Sequence, residues 1–164
     1  MSVFMSVEGT VTEIKPISIG RERRNECCTL MMSIRGERQE ITNFIVDNDT
    51  YFINNAGIQP GDRVTAFYDS SLATPAIYPP QYRAVVIAKK MRGREVVVDT
   101  FDRFRINSDG SLRLNITDRT DIIMRNGQKF LCDIANRYVA VVYNGDARGY
   151  PAEVIPYEII VLCR

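Results

Sequence analysis

Two pairs of aspartates could do oxygen chemistry: Asp47 with Asp49, and Asp118 with Asp121. Asp47-Asn48-Asp49 spaces its oxygens as a loop for a hard cation such as calcium would. Tyr51 and Phe52, however, stand where an EF-hand loop needs another oxygen ligand and a glycine. Asp and Asn close turns without any ligand, and that is the expected role. Nothing nearby in sequence would split these carboxylates for general acid–base work. The chain has no histidine, which removes His-dependent triads and His-ligated zinc. No catalytic residue, metal site or cofactor is therefore expected, and the chain reads as a non-enzyme.

A second candidate is a basic stretch around the first predicted hairpin: Arg21, Arg23, Arg24, Arg35 and Arg38. In a small barrel of OB type the loop after the first strand lies beside the ligand face. Phe44, Tyr51 and Phe67 are the rings that could there stack bases of a single strand. Glu22, Glu26, Glu37 and Glu40 sit among the arginines and cancel much of their field, so a solvated, salt-bridged loop competes with a binding face. The totals point the same way. Lys and Arg number 21 against 20 for Asp and Glu, a net charge of +1, without the basic field of a duplex binder.

Tyr78-Pro79-Pro80-Gln81-Tyr82 is the most distinctive local sequence. Its prolines enforce an extended segment and its tyrosines could dock on a neighbour; Tyr82 and the related Tyr157 are expected to pack in a strand. Cys27, Cys28, Cys132 and Cys163 include an adjacent pair and no C-x-x-C spacing. Cys28 and Cys163 are expected as buried thiols on strands. The start, MSVFMSVEGTV, has no charged segment leading into an apolar one, and no apolar run approaches the about 20 residues of a membrane span. A cytoplasmic protein without membrane contact is the expectation. Asn48-Asp49-Thr50 and Asn115-Ile116-Thr117 fit the glycosylation pattern, which matters only on secretion.

These residues need elements to hold them, and the sequence supplies strands. Val7 to Ile14 alternates apolar and polar residues, with Gly9 marking a bend. Residues 15–26 read as a polar loop. Cys28–Ile34 and Gln39–Val46 form a predicted hairpin with Gly36 taking the positive φ of its turn. Tyr51–Ile53, Val64–Tyr68 and Tyr82–Ala88 complete the first set. After a junction at Met91–Arg94, Glu95–Asp99 opens a second set, Asn107–Ser111 turns the chain onto Leu112–Ile116, and Asn126-Gly127 joins Ile122–Met124 to Gln128–Phe130. Single helical turns are expected near 56–61 and 132–136.

The two sets echo each other. A shift of 75 residues lays Val64 on Val139, Tyr68 on Tyr143, Tyr82 on Tyr157 and Val86 on Val161. A shift of 71 pairs Ile45 with Ile116, and one of 76 pairs Pro75-Ala76 with Pro151-Ala152. Glu8 to Ile45 spans 37 positions but Glu95 to Ile116 only 21, so the second copy lacks a long loop or a strand. The expected fold is all-β: two tandem related small barrels, OB-like, packed on each other, with module boundaries at 1–91 and 92–164.

Ala76-Ile77-Tyr78-Pro79-Pro80-Gln81-Tyr82, Leu114-Asn115-Ile116-Thr117 and Ile155-Pro156-Tyr157 give the chain a further resemblance. Over roughly residues 40–164 it looks like a family of uncharacterised bacterial tandem β-module proteins, some of which carry copper-amine-oxidase N-terminal-like domains. That resemblance implies no activity. The expected role is binding or scaffolding through a protein partner or self-association along strand edges; the alternative is an OB-type module for single-stranded nucleic acid or oligosaccharide.

Overall fold

Alternation of Val7, Gly9 and Val11 draws the start of the chain into a long strand, β1 (Phe4–Ile17). The computed structural model describes residues 2–18, 20 and 22–164. Its regular structure is all-β, with 3₁₀ turns at Arg23–Asn25 and Ile53–Asn55. The chain divides into two units, one of residues 4–90 and one of residues 91–164 with 1–3.

In the first unit β1 is followed by β2 (Thr29–Arg35), β3 (Ile41–Val46), β4 (Tyr51–Phe52), β5 (Arg63–Asp69) and β6 (Gln81–Lys89). The first half of β1 pairs antiparallel with β5, Gly9 opposite Val64. After Val11 a bulge re-aims the strand, and its second half pairs with β2, Val11 opposite Ile34. β2 pairs with β3, Met32 opposite Phe44. β3 lies parallel to β6, Phe44 opposite Tyr82, and β6 runs antiparallel to β5. The pairing therefore returns to its start: β1–β2–β3–β6–β5–β1. Val11, Met32, Ile34, Phe44, Val64 and Ile87 fill the inside. Gly9 is required there, since a Cβ would collide with the Arg35 carbonyl oxygen.

The second unit contains β7 (Glu95–Thr100), β8 (Leu112–Leu114), β9 (Asp121–Met124), β10 (Tyr138–Tyr143), β11 (Ala152–Val154) and β12 (Pro156–Val161). β7 pairs antiparallel with β10, Asp99 opposite Val139, and β10 with β12, Val141 opposite Ile159. β8 lies parallel to β11, Leu114 opposite Val154. Isolated bridges join Phe101 to Asn107 and Ile106 to Arg113. Phe101, Leu114, Ile134, Val139, Val141 and Ile159 form its core.

Several details depart from the sequence expectation. Gln39, not Gly36, takes the positive φ in the β2–β3 turn; the turn closes through Gly36 N–H to Glu40 O and Gln39 N–H to Gly36 O. β1 runs to Ile17, into the segment expected to be loop. The segments 56–61 and 132–136 are not helical. The second is a pair of turns in which Asp133 Oδ1 accepts from Ala135 N–H at 2.9 Å. All four cysteines are exposed. Cys28 precedes β2 and Cys163 follows β12, and the left-handed φ of 55° at Cys163 takes it out of strand alternation. No helix among the described residues is long and apolar enough to cross a membrane.

The registers also correct the sequence alignment. Val64 of β5 and Val139 of β10 are both core residues. Each β5-type strand carries an irregularity before its last tyrosine: Phe67 faces Val86 and Tyr68 faces Ala84, while Val142 faces Glu158 and Tyr143 faces Pro156. Val85 and Tyr157 are thus the unpaired extra residues, 72 apart. Tyr157 is exposed rather than packed, with the Arg94 guanidinium 4.0 Å above its ring.

Candidate functional site

Among the described residues the expected arginines are exposed, whereas two of the three expected rings, Phe44 and Phe67, are buried. Arg23 and Arg24 lie exposed on the first 3₁₀ turn, with Arg24 Nε 3.0 Å from Glu22 Oε2. Arg35 ends β2, and Arg38 lies in the following turn, both exposed. Arg38 lines a shallow depression with Glu8, Glu37, Glu40 and Arg63, and Arg63 Nη2 is 3.6 Å from Glu8 Oε1. Arg21 lies outside the described residues. Phe44 and Phe67 are buried. Phe44 packs at ring-centre distances of 6.1 Å from Tyr68 and 6.0 Å from Tyr82, so it has no free face for a base; strand alternation turns it inward. Tyr51 is half-buried on β4. Phe44 and Phe67, turned inward, give the exposed guanidinium groups no stacking partner.

Asp47 acts as a turn former, whereas Asp121 opens β9. Asp47 Oδ1 accepts from Asp49 N–H at 2.9 Å, and its other oxygen pairs with Arg83. Among the described residues no three His, Cys, Asp or Glu side chains converge as a metal site.

What the structure brings forward is the loop after β5 and the loop after β10, residues 70–80 and 144–151. Each carries a Tyr-Pro dipeptide, Tyr78-Pro79 and Tyr150-Pro151, 72 residues apart. Both bonds are cis. Both tyrosines stand out from the surface, Tyr78 at 87% and Tyr150 at 78% exposed. The Tyr150 hydroxyl donates to the Asp109 carbonyl at 2.9 Å, which fixes the ring while leaving its faces in solvent. Leu72 and Ile77 add exposed apolar surface to the first loop. The sequence signal was present, a Tyr-Pro dipeptide at a constant spacing, but the stronger match of Tyr82 to Tyr157 concealed it.

In the second unit this loop borders a groove of about 770 Å³. Ala147, Val154, Ile155, Pro156 and Tyr157 supply its apolar lining, and Asp118, Arg119, Asn144, Asp146 and Glu153 its polar rim. The backbone accounts for this shape. Ile155 falls between β11 and β12, off both ladders, and is 53% exposed. Thr117–Thr120 forms a tight turn in which Thr120 N–H donates to Thr117 O at 3.1 Å and Arg119 N–H to Thr117 Oγ1 at 3.2 Å. Beneath the loop's other side lies a smaller cavity of about 230 Å³ lined by Asn107, Ser111, Tyr143 and Gly145, among others. Burial, reinforced by the nearby Glu95 charge, pushes the Tyr143 phenol up. Next to the groove, β12 sets Glu158 opposite Asp121 of β9. Partial burial, then the Asp121 charge, raises the Glu158 carboxyl, with Arg94 opposing.

The groove lining holds no cysteine, lysine or histidine. Its chemistry is that of shape, apolar contact and negative charge. No protein-family model, curated protein or solved structure matches the chain.

Proposed function

We propose that the chain is a non-enzymatic binding protein that engages a polypeptide partner through the tyrosine-bearing loops 70–80 and 144–151, carried on two copies of one OB-like barrel. The observation that carries this reading is the pair Tyr78 and Tyr150, held exposed at corresponding positions of the two units. Exposed tyrosines offer a large amphipathic contact area at little entropic cost and are enriched where proteins meet. Support for the duplicated barrel comes from the matching pairings: Phe44 opposite Tyr82 as Leu114 opposite Val154, and Phe52 opposite Ile87 as Ile122 opposite Ile159. Loops between the fourth and fifth strands are among the ligand-binding loops of OB-type barrels. Kinship with the bacterial tandem-module family belongs to the same proposal. So does a cytoplasmic setting, for which four exposed free thiols speak.

Self-association along strand edges has less to draw on. β4 is two residues long, and the free side of β9 is paired by Ile123 with Lys129 and by Phe130 N–H with Ile122 O. The experiment is a titration of the full chain with a peptide panel, an oligothymidylate and an oligosaccharide panel, repeated with the Tyr78→Ala/Tyr150→Ala double variant. Saturable binding of peptides, weakened about tenfold in the variant, is expected, the size of one interface anchor. Binding of oligothymidylate alone, falling with salt, would replace this reading with the nucleic-acid one.

A further inference from the structure

We propose that the groove of the second unit takes an extended polypeptide segment in which cationic side chains alternate with apolar ones; this rests on the polypeptide-binding reading and specifies its partner. The groove has an apolar floor around Ile155 and a rim bearing three carboxylates, Asp118, Asp146 and Glu153, against one guanidinium, Arg119. All four charged groups are exposed. None of the ion pairs among the described residues engages Asp118, Asp146 or Glu153. Their charge is therefore left for a partner, in a chain whose overall charge is only +1.

The shape selects an extended segment rather than a helix. The lining is the irregular passage from β11 to β12 flanked by the 144–147 and 117–119 segments. In an extended peptide successive side chains point opposite ways, so apolar residues face Ile155 and Tyr157 while the cationic ones reach the rim. Tyr157 already stacks one cation, Arg94, at 4.0 Å, the contact that an incoming lysine or arginine would add to or displace. A nucleic acid would meet a surplus of carboxylates here, and an acidic peptide likewise. Complementary charge of this kind sets partner choice and association rate more than total affinity.

The test uses the full chain and a short fluorescein-labelled peptide alternating lysine with valine, read by anisotropy at low and at physiological ionic strength. Two comparison peptides carry glutamate or glutamine in place of lysine. Expected are preference for the lysine peptide by about tenfold, weakening with salt, and loss of that preference in the Asp118→Asn/Asp146→Asn/Glu153→Gln variant. The preference should survive in Glu13→Gln/Glu22→Gln/Glu37→Gln, which changes the net charge equally in the other unit. Ile155→Ser should weaken the lysine and glutamine peptides alike. Equal binding of all three peptides, or a preference that survives the rim variant, overturns the groove assignment and leaves the broader reading standing. Failure of every peptide, with the Tyr78→Ala/Tyr150→Ala pair also without effect on any peptide panel, overturns both.

Discussion

The Thr50 hydroxyl donates to the Ala84 carbonyl at 2.8 Å across 34 residues of chain. The same bond joins Thr120 to Pro156, also at 2.8 Å. In each unit the threonine Oγ1 also accepts the backbone N–H three residues earlier, Asp47 at 3.2 Å and Thr117 at 3.3 Å. One side chain thus closes a turn and ties it to β6 in the first unit and to β12 in the second. Thr50→Val and Thr120→Val should each cost about 1 kcal/mol, the net worth of one such bond. Urea unfolding of each variant measures this; a loss in one unit and none in the other would separate the two turns.

The Tyr68 and Tyr82 rings stack with centres 3.9 Å apart and planes 10° from parallel. Burial first, then the hydrogen bond and charge of Tyr82, push the Tyr68 phenol up to about 12. A phenol raised in the folded state loses its proton first from the unfolded chain. Its stabilising contribution is therefore complete below its ordinary value of 10.0 and disappears as the pH climbs to about 12. Ultraviolet titration should show a late-ionising tyrosine that Tyr82→Phe brings back toward the others.

Glu158 is raised above its ordinary value of 4.5 by partial burial and by Asp121. The folded state therefore holds this proton more tightly than the unfolded one, and the contribution falls as the pH rises past 4.5. Glu158→Gln should be more stable than the parent near neutral pH and should flatten that part of the stability profile. Denaturant midpoints across the acid range test it; a less stable variant at neutral pH would contradict it.

Asp99 is 4% exposed, and its oxygens accept from Thr100 N–H at 2.7 Å and from the Ser108 hydroxyl at 2.8 Å. It pins the 101–111 segment, where the isolated bridges form. Asp99→Ala strands those donors and should cost about 2 kcal/mol. Amide exchange should rise at residues 107–111 ahead of β10; uniform loosening would assign Asp99 a different role.

Much of this was legible in the sequence. Short apolar runs bounded by turn residues marked β5, β6, β10 and β12, and the turns at 107–111 and Asn126-Gly127 stand where expected, Gly110 and Gly127 both at positive φ. Register was not legible. A period of two places residues on faces but does not fix which residue opposes which, and the unpaired residues Val85 and Tyr157 slide β6 against β12 unseen. Burial of Phe44 and exposure of Cys163 follow from where strands end and how they turn, which composition does not carry. Tyr78 was legible as a docking residue in its proline-rich segment, whereas nothing in the sequence set Tyr150 apart as exposed.

The proposed function rests on a parallel pair in each unit, β3 with β6 and β8 with β11. Long-range NOEs in the isotope-labelled chain measure that directly. Cross-strand contacts of Phe44 with Tyr82 and of Leu114 with Val154 are expected together. Contacts of Leu114 with Tyr157 instead, or the parallel pair seen in only one unit, would contradict it.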